Sequence, residues 1–315
     1  MRAKLFVALG ALVAMGWAVP STGTAPFLVE AVAREVQSVP LPARLRISKE
    51  RGLLLSIWLN GKGPYVCAVD TGAGMNIITQ RVVDEAQLTI RSVPPTVMGG
   101  LTGARTTSNR EAVITQLALG DRANALRGTK TAQVVSFLTP GIDGVLDPTD
   151  IYSPYGYSID MPNQRIEAID TLAAFSLGSE HGSPIGEGAI VPWLRLGDSV
   201  RPFVRLGDGR LALIDTGSGF GIAVNGRNAV IVGNAGGKRP SKGARDIGGG
   251  AINSRRVSPT TIRIGELVLQ RVPTDILFGL EDDAPVILGR DVLYPFKITF
   301  DPQRRLIEFV TSEKS

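Results

Sequence analysis

Two copies of the tripeptide Asp-Thr-Gly are the residues best suited to chemistry in this sequence. They begin at Asp70 and Asp215, 145 residues apart, and each follows an apolar run. Gly at the end of such a run allows a sharp turn and the close approach of a neighbouring chain. Two carboxyl groups held about 3 Å apart cannot both ionise, so they share a proton and can serve as acid and base. The pair therefore predicts acid–base chemistry by carboxylates.

The composition removes the main alternatives to carboxylate chemistry. The chain has 315 residues with one cysteine, Cys67, and one histidine, His181. A single cysteine excludes an intramolecular disulfide and any multi-thiolate metal site, and a single histidine excludes sites of several histidines. We therefore expect neither a bound metal nor another cofactor.

The charge pattern argues against a nucleic-acid partner. The formal net charge is +5, but the basic residues are scattered and interleaved with acidic ones. A nucleic-acid interface would need them clustered on one surface, with aromatic residues between them. With 43% hydrophobic residues the chain can fill packed cores, and its length favours two domains.

The amino-terminal sequence is typical of a secretory signal peptide. Positive residues precede the uncharged run Leu5–Val19, and small residues follow it. We predict a signal peptide over residues 1–25, with cleavage after Ala25 or, alternatively, after Ala33. The run is shorter than the ~20 residues that span a bilayer, although an uncleaved anchor remains an alternative. The expected location is periplasmic or secreted, without stable membrane insertion after cleavage.

The remainder of the chain repeats itself. Trp58–Ile78 and Val204–Val224 each contain a short extended run, a turn, an apolar run and Asp-Thr-Gly. Ile159-Asp160 lies 90 residues after Asp70, and Phe300-Asp301 lies 86 residues after Asp215, counted between the aspartates. This order and spacing indicate a duplicated lobe.

Short β-rich runs separated by turn residues dominate both halves, and helical periodicity is confined to Gln80–Gln87 and Asp170–Leu177. We predict an all-β fold of two lobes. The predicted boundaries are an N-terminal extension or pro-segment over 26–44, an N-terminal lobe over 45–176, a linker over 177–188 and a C-terminal lobe over 189–315.

The sequence resembles the two-lobed, pepsin-like aspartic proteases in a compact bacterial form, with affinities to retroviral proteases, over roughly residues 45–312. Besides the two Asp-Thr-Gly copies, Ile142–Leu146 and Val286–Gly289 resemble the hydrophobic-hydrophobic-Gly elements of that family. The resemblance implies a cleft between the lobes, with Asp70 and Asp215 as its catalytic pair. It also implies support of the pair by Thr71, Gly72, Thr216, Gly217 and Ser218.

A flap over the cleft is implied 30–45 residues after the first aspartate. The residues in that window are Gly99, Gly100, Leu101, Thr102 and Gly103, without the aromatic residue of pepsin-type flaps. Glycine-rich backbone suits a lid that closes over a peptide. A plain β-hairpin turn is the alternative reading.

Two departures from the family pattern carry expectations of their own. Ala73 follows the first Asp-Thr-Gly where the second copy has Ser218, whose hydroxyl the family uses to bond the carboxylate. Its absence should raise the pKa of the pair and move the optimum from strongly acidic to mildly acidic or near neutral. Asp147 occupies the place of a Gly, which predicts a shifted loop in which Asp147-Pro148 opens a turn. The alternative is that the supporting loop of the first lobe packs differently.

The expected function is that of an exported, monomeric aspartic endopeptidase acting on polypeptides bound in extended conformation. The alternative is a non-proteolytic module on the same fold that binds a peptide or a glycan in the cleft.

Overall fold

The structure, a computed structural model, describes residues 39–100, 104–136, 138–170, 188–226, 250–280 and 284–313. Strands make up most of these residues, and the helices among them are short. The predicted all-β class is thus confirmed. The described strands, in chain order, are β1 (Ala43–Arg44), β2 (Arg46–Ser48), β3 (Gly52–Leu59), β4 (Lys62–Val69), β5 (Ile77–Thr79), β6 (Thr89–Gly99), β7 (Arg105–Ile114), β8 (Leu117–Leu119), β9 (Ala125–Leu126), β10 (Lys130–Val135), β11 (Gly144–Leu146), β12 (Gly156–Asp160), β13 (Arg165–Ile169), β14 (Gly188–Pro192), β15 (Phe203–Arg205), β16 (Leu211–Ile214), β17 (Ile222–Asn225), β18 (Asn253–Ile264), β19 (Leu267–Phe278), β20 (Val286–Leu288), β21 (Phe296–Asp301) and β22 (Leu306–Thr311).

The described α-helices are α1 (Gln80–Ala86), α2 (Pro148–Tyr152) and α3 (Arg290–Leu293). The first matches the predicted helix Gln80–Gln87, and it ends where Gln87 adopts a left-handed conformation with φ 52°. The predicted helix Asp170–Leu177 lies outside the described residues apart from Asp170. In the described part of the chain, no helix has the length and apolar character needed to cross a membrane.

A tight hairpin leads into each Asp-Thr-Gly. Strands β3 and β4 are joined at Asn60 and Gly61, whose φ angles of 48° and 72° are those of the turn that matches strand twist. Strands β15 and β16 are joined through Gly209, with φ 88°. The turn residues of the sequence therefore place each aspartate at the end of a returning strand.

The two halves of the chain build sheets of the same design. In the first, neighbouring strands run β3-β4-β11-β5-β10-β7, and in the second they run β15-β16-β20-β17-β19-β18. Both series alternate antiparallel, parallel, antiparallel, parallel and antiparallel pairing. The internal duplication seen in the sequence is thus repeated strand by strand.

A third sheet is shared by the two halves. Its order is β1-β13-β12-β21-β22-β14, and the halves meet where β12 pairs with β21. Tyr157 and Phe300 are partners across this junction, and their rings stack with centroids 4.7 Å apart. Such aromatic pairs contribute about 0.5–1.5 kcal/mol beyond the burial of their area.

Two of the predicted domain boundaries fall at strands of this shared sheet. The predicted signal peptide and most of the linker, residues 177–187, lie outside the described residues, while Gly188 begins β14. Ala43 and Arg44, at the end of the predicted N-terminal extension, form β1 and pair with β13. Ala43 is buried and contributes to the core, whereas Arg44 is exposed.

Candidate active site

The two aspartates are held at equivalent strand ends. Asp70 directly follows β4, and its N–H donates to the Leu146 carbonyl on β11 at 3.0 Å. Asp215 directly follows β16, and its N–H donates to the Leu288 carbonyl on β20 at 2.9 Å. Because β4 and β11 are parallel, as are β16 and β20, both loops leave their sheets in the same way.

The two threonines interlock across the halves. The N–H of Thr71 donates to Oγ1 of Thr216 at 3.1 Å, and the N–H of Thr216 donates to Oγ1 of Thr71 at 3.1 Å. Each hydroxyl donates in turn to a carbonyl of the opposite half, Thr71 to Ile214 at 2.6 Å and Thr216 to Val69 at 3.0 Å. Both threonines are fully buried, so each polar atom depends on its partner in the other loop.

The glycines of the tripeptides allow the loops to approach each other. A Cβ at Gly72 would lie 2.9 Å from Cγ of Asp215, and a Cβ at Gly217 would overlap the Asp70 carboxyl group. Each glycine thus lies against the aspartate of the other half. A side chain at either position would push the carboxyl groups apart.

The structure consequently brings Asp70 and Asp215 together. Their carboxyl groups are within hydrogen-bonding reach of each other, and both residues retain partial exposure to solvent. Burial of the carboxyl groups raises the pKa of both aspartates above the ordinary range, and the nearby Asp70 charge raises the pKa of Asp215 further. Such a pair retains one proton to higher pH than isolated carboxyls would.

The two aspartates accept different numbers of hydrogen bonds from backbone N–H groups. The Asp70 carboxyl accepts from the Gly72 N–H at 2.8 Å and also from the Gly217 N–H. The Asp215 carboxyl accepts from the Ser218 N–H at 2.9 Å. Donors of this kind favour the ionised form of a carboxyl group. The better supplied Asp70 is therefore the member suited to carry the negative charge.

The backbone N–H of Ser218, and not the hydroxyl that the family pattern implies, is the group that donates to the Asp215 carboxyl. The backbone N–H of Ser218 contacts Asp215, while its hydroxyl accepts a 3.4 Å hydrogen bond from the Phe220 N–H. The exchange of this serine for Ala73 in the first loop therefore changes less than the family pattern implies. Burial, rather than a missing hydroxyl, is the main cause of the raised pKa of Asp70.

Asp147 does not shift the loop that it occupies. Leu146 keeps the same contact with Asp70 that Leu288 has with Asp215. The Asp147 carboxyl caps α2 by accepting from the Thr149 N–H at 2.9 Å. The predicted shifted loop and turn are therefore wrong, because the side chain starts a helix. Asp147 is 1% exposed, and this burial raises its pKa to about 7.

The predicted flap window lies on a β-hairpin. Strands β6 and β7 pair up to Gly99 and Arg105, and the Gly100 N–H donates to the Ala104 carbonyl at 3.4 Å. The other three predicted flap residues, Leu101, Thr102 and Gly103, lie outside the described residues. Met98 is buried with Ile77 and Val145, and Ala73 and Met75 of the first loop pack against that cluster. The hairpin is thus attached next to the Asp70 loop.

Arg290 is a neighbour of the site that the sequence analysis did not single out. This first residue of α3 is 7% exposed, and its Nη1 donates to the Thr216 and Gly217 carbonyls at 2.9 and 2.7 Å. A charged residue directly after the apolar run Val286–Gly289 was the available signal. Long polar side chains are seldom buried without a specific partner.

A cavity of about 330 Å³ opens beside the first loop. It is bordered by Gly74, Met75 and Asp147 and, from the second half, by Val200. The described residues contain no cluster of three or more His, Cys, Asp or Glu side chains arranged to hold a metal ion.

Comparison with known protein families identifies one segment. Residues 55–146 match the family model described as aspartyl protease. This segment runs from within β3 to the end of β11 and includes the Asp70 loop with its support at Leu146. No curated protein matches the chain. Residues 55–146 are thus similar to aspartyl proteases, and the all-β architecture of the chain fits a pepsin-like or retropepsin-like fold.

Proposed function

We propose that this protein is an aspartic endopeptidase that hydrolyses peptide bonds with Asp70 and Asp215. One observation carries the proposal: the two carboxyl groups come from equivalent loops of the two halves and lie within hydrogen-bonding reach. The aspartyl protease match over residues 55–146 supports it, because that segment contains the first of the two loops.

The difference in N–H donors indicates which aspartate is ionised and which is protonated before the reaction. Asp70, which accepts from two backbone N–H groups, is the ionised member and takes a proton from the attacking water. Asp215 is the protonated member and donates to the oxygen of the scissile carbonyl. Water attack gives a tetrahedral gem-diol. Its collapse breaks the C–N bond as Asp70 passes its proton to the amine and a gem-diol hydroxyl returns its proton to Asp215. The two carboxyl groups end with one shared proton, as they began.

The raised pKa of both aspartates sets the expected pH range. The pair loses function when its second proton leaves, and burial moves that step to higher pH. We expect a mildly acidic to near-neutral optimum. A profile of kcat/KM that peaks near pH 2 would contradict it.

The substrate is a polypeptide bound in extended conformation. An extended segment can pair with a strand edge and place alternate side chains in pockets. The hairpin of β6 and β7, which is attached beside the Asp70 loop through Met98, would cover such a segment. The cavity next to Gly74 offers room for a side chain.

Export and a monomeric state are parts of the same proposal. The sequence supports export through its charged start and apolar run, and it supports a monomer because both halves lie in one chain. Amino-terminal sequencing of the protein from fractionated cells would locate cleavage after Ala25 or Ala33. Light scattering on the purified protein would give its mass in solution.

The decisive experiment is cleavage of an unfolded protein at pH 3–8, with and without a statine-type inhibitor. Asp70→Asn and Asp215→Asn should each reduce the rate by at least ~10³-fold, because each removes one partner of the acid–base pair. Asp121→Asn is the matched control, since Asp121 is exposed and bonds locally to the Ala123 N–H. Cleavage that survives both active-site substitutions would refute the proposal.

The same experiment tests the alternative of a binding module. A protein that binds peptide or glycan with unchanged affinity in Asp70→Asn and Asp215→Asn, and that cleaves nothing as wild type, would be such a module.

A further inference from the structure

The guanidinium group of Arg290 lies beneath the Asp215 loop and joins it to the first half. Its Nη1 donates to the carbonyls of Thr216 and Gly217, and its Nη2 donates to the Lys49 carbonyl at 3.3 Å. Lys49 precedes β3 and belongs to the first half. One side chain therefore holds two consecutive carbonyls of one loop and a carbonyl of the other half.

The space around this group is made by glycines. A Cβ at Gly52, where φ is +92°, would lie 3.2 Å from Nη1, and a Cβ at Gly219 would lie 3.2 Å from Nη2. Both distances are tighter than ordinary van der Waals contact. The guanidinium fits because its two flanks lack side chains.

The charge of Arg290 has no direct counter-ion in the described part of the chain. Its hydrogen-bond partners there are backbone carbonyls, and none of the ion pairs among those residues involves it. The carboxylates whose charges act on it are Asp215, Asp70 and its neighbour Asp291. Asp147, in the first half, interacts electrostatically with Asp70. In a poorly solvated site such interactions extend beyond direct contact.

The position in the first half that matches Arg290 carries no cation. Leu146 and Leu288 occupy matching positions because each accepts from an aspartate N–H. Counting two residues on from each leucine reaches Pro148 in the first half and Arg290 in the second. The positive charge thus lies under one loop of an otherwise repeated pair.

We propose that Arg290 is a positioning residue of the Asp70–Asp215 pair. Its fork of N–H groups fixes the Thr216 and Gly217 carbonyls, and its charge balances the single negative charge that the pair carries. This inference rests on the proposed proteolytic function, and it assigns the pH range of that function to a residue outside the Asp-Thr-Gly motifs.

Two substitutions separate the effect of the guanidinium hydrogen bonds from the effect of the positive charge. Arg290→Gln removes the charge, so the pKa of the pair should rise and both limbs of the kcat/KM profile should move up by about one pH unit. Arg290→Lys keeps the charge but cannot reproduce the planar fork. We expect its limbs to stay within ~0.3 pH unit of wild type while kcat falls at least ~10-fold.

The profiles are measured on the full chain at pH 3–8 with the same unfolded protein substrate. Arg263→Gln is the matched control, because it removes an equal charge from an exposed arginine of the second half. A folded Arg290→Gln whose limbs coincide with wild type would overturn the inference. If that variant does not fold, Arg290→Lys decides, since wild-type kcat in folded Arg290→Lys would equally overturn it.

Failure of the proposed function would be seen separately, as an inactive wild type. Unfolding by urea as a function of pH then replaces the rate. A carboxyl pair with raised pKa in the folded state loses its contribution to stability as pH rises through that pKa. Arg290→Gln should move this loss up by about one pH unit, and an unchanged curve would overturn the inference.

Discussion

The loop at Asp70 and the loop at Asp215 have matching backbone contacts and different side chains beneath them. Each aspartate N–H donates to a leucine carbonyl of a parallel strand, and each threonine bonds the other loop at the same 3.1 Å. The buried carboxyl of Asp147 interacts with Asp70 of the first loop, and the buried guanidinium of Arg290 donates to two carbonyls of the second.

This difference shows which parts of a duplicated site are constrained. The interlocked threonines can exist only if both loops keep one backbone geometry, since each hydroxyl serves the opposite half. The charges below the loops act on the pair from outside that geometry. They can diverge, and in doing so they make two equivalent carboxyl groups chemically unequal.

The largest stability effect should come from the threonines, and it should be the same in both loops. Thr71→Val and Thr216→Val each keep the side-chain volume and leave a buried N–H and a buried carbonyl without partners. We expect each to lower the free energy of unfolding by about 2–4 kcal/mol, measured by urea denaturation. Costs that differ by more than ~1 kcal/mol would show that the loops are not equivalent supports.

A second test uses the position where the two halves differ by a side chain. A Cβ at Gly289 would lie 2.9 Å from the Ser218 carbonyl oxygen and 3.0 Å from the Phe220 nitrogen, whereas Asp147 carries a side chain at the matching place. Because backbone atoms cannot move aside easily, Gly289→Ala should cost about 2–3 kcal/mol of unfolding free energy.

The reciprocal change, Asp147→Gly, removes a helix cap and should cost only about 1 kcal/mol. The two values come from the same denaturation experiment. Equal costs at both positions would contradict the structural difference between the halves.

A third test concerns the direction in which the contribution of Asp147 to stability changes with pH. The pKa of Asp147 is about 7 in the folded protein because of burial, well above that of an unfolded aspartate. The folded state therefore holds a proton between about pH 4 and 7 that the unfolded state releases, and this contribution to stability is lost as pH rises through that range.

Asp147→Asn keeps an acceptor for the Thr149 N–H and removes the titration. The difference in unfolding free energy, variant minus wild type, should rise with pH by up to about 1.4 kcal/mol per unit between pH 4 and 7. Asp121→Asn, on an exposed turn, is the control. A flat difference for Asp147→Asn would place the titration elsewhere.

The smallest expected effect on stability comes from the ion pairs of Arg81 at the surface. Arg81 is paired with Glu85 at 2.7 Å and with Asp143, which precedes β11 where Pro285 precedes β20. The Arg81 side chain is 55% exposed, so Arg81→Ala should cost less than about 1 kcal/mol in the same denaturation assay. A cost above ~2 kcal/mol would make this ion pair a structural difference between the halves.

The sequence was most informative where local pattern decides structure. The Asp-Thr-Gly copies, the turn at Asn60 and Gly61 and the helix at Gln80 follow from residue type and spacing, and each lies where it was predicted. The bounds of individual strands were harder to predict from the sequence, as at β10, which spans Lys130–Val135. Pairing with β5 and β7 fixes that register, and pairing partners are not encoded locally.

Contacts distant in sequence account for what was missed. Arg290 meets Lys49 across 241 positions, and the crossing of Thr71 with Thr216 spans 145. The error at Asp147 has a different cause, because its contact is local: the side chain accepts from the Thr149 N–H two residues on and caps a helix, where a displaced loop was expected. A pattern read along the chain identifies such residues but not their partners.

The shared sheet has a consequence for any attempt to divide the protein. A fragment made of the first half alone would leave β12 as a bare edge of unpaired backbone groups, and the second half alone would leave β21 in the same condition. Exposed edges of this kind recruit another strand, often from an identical molecule. Separately produced fragments should therefore either reassemble with each other or polymerise, and neither is expected to persist as an isolated body.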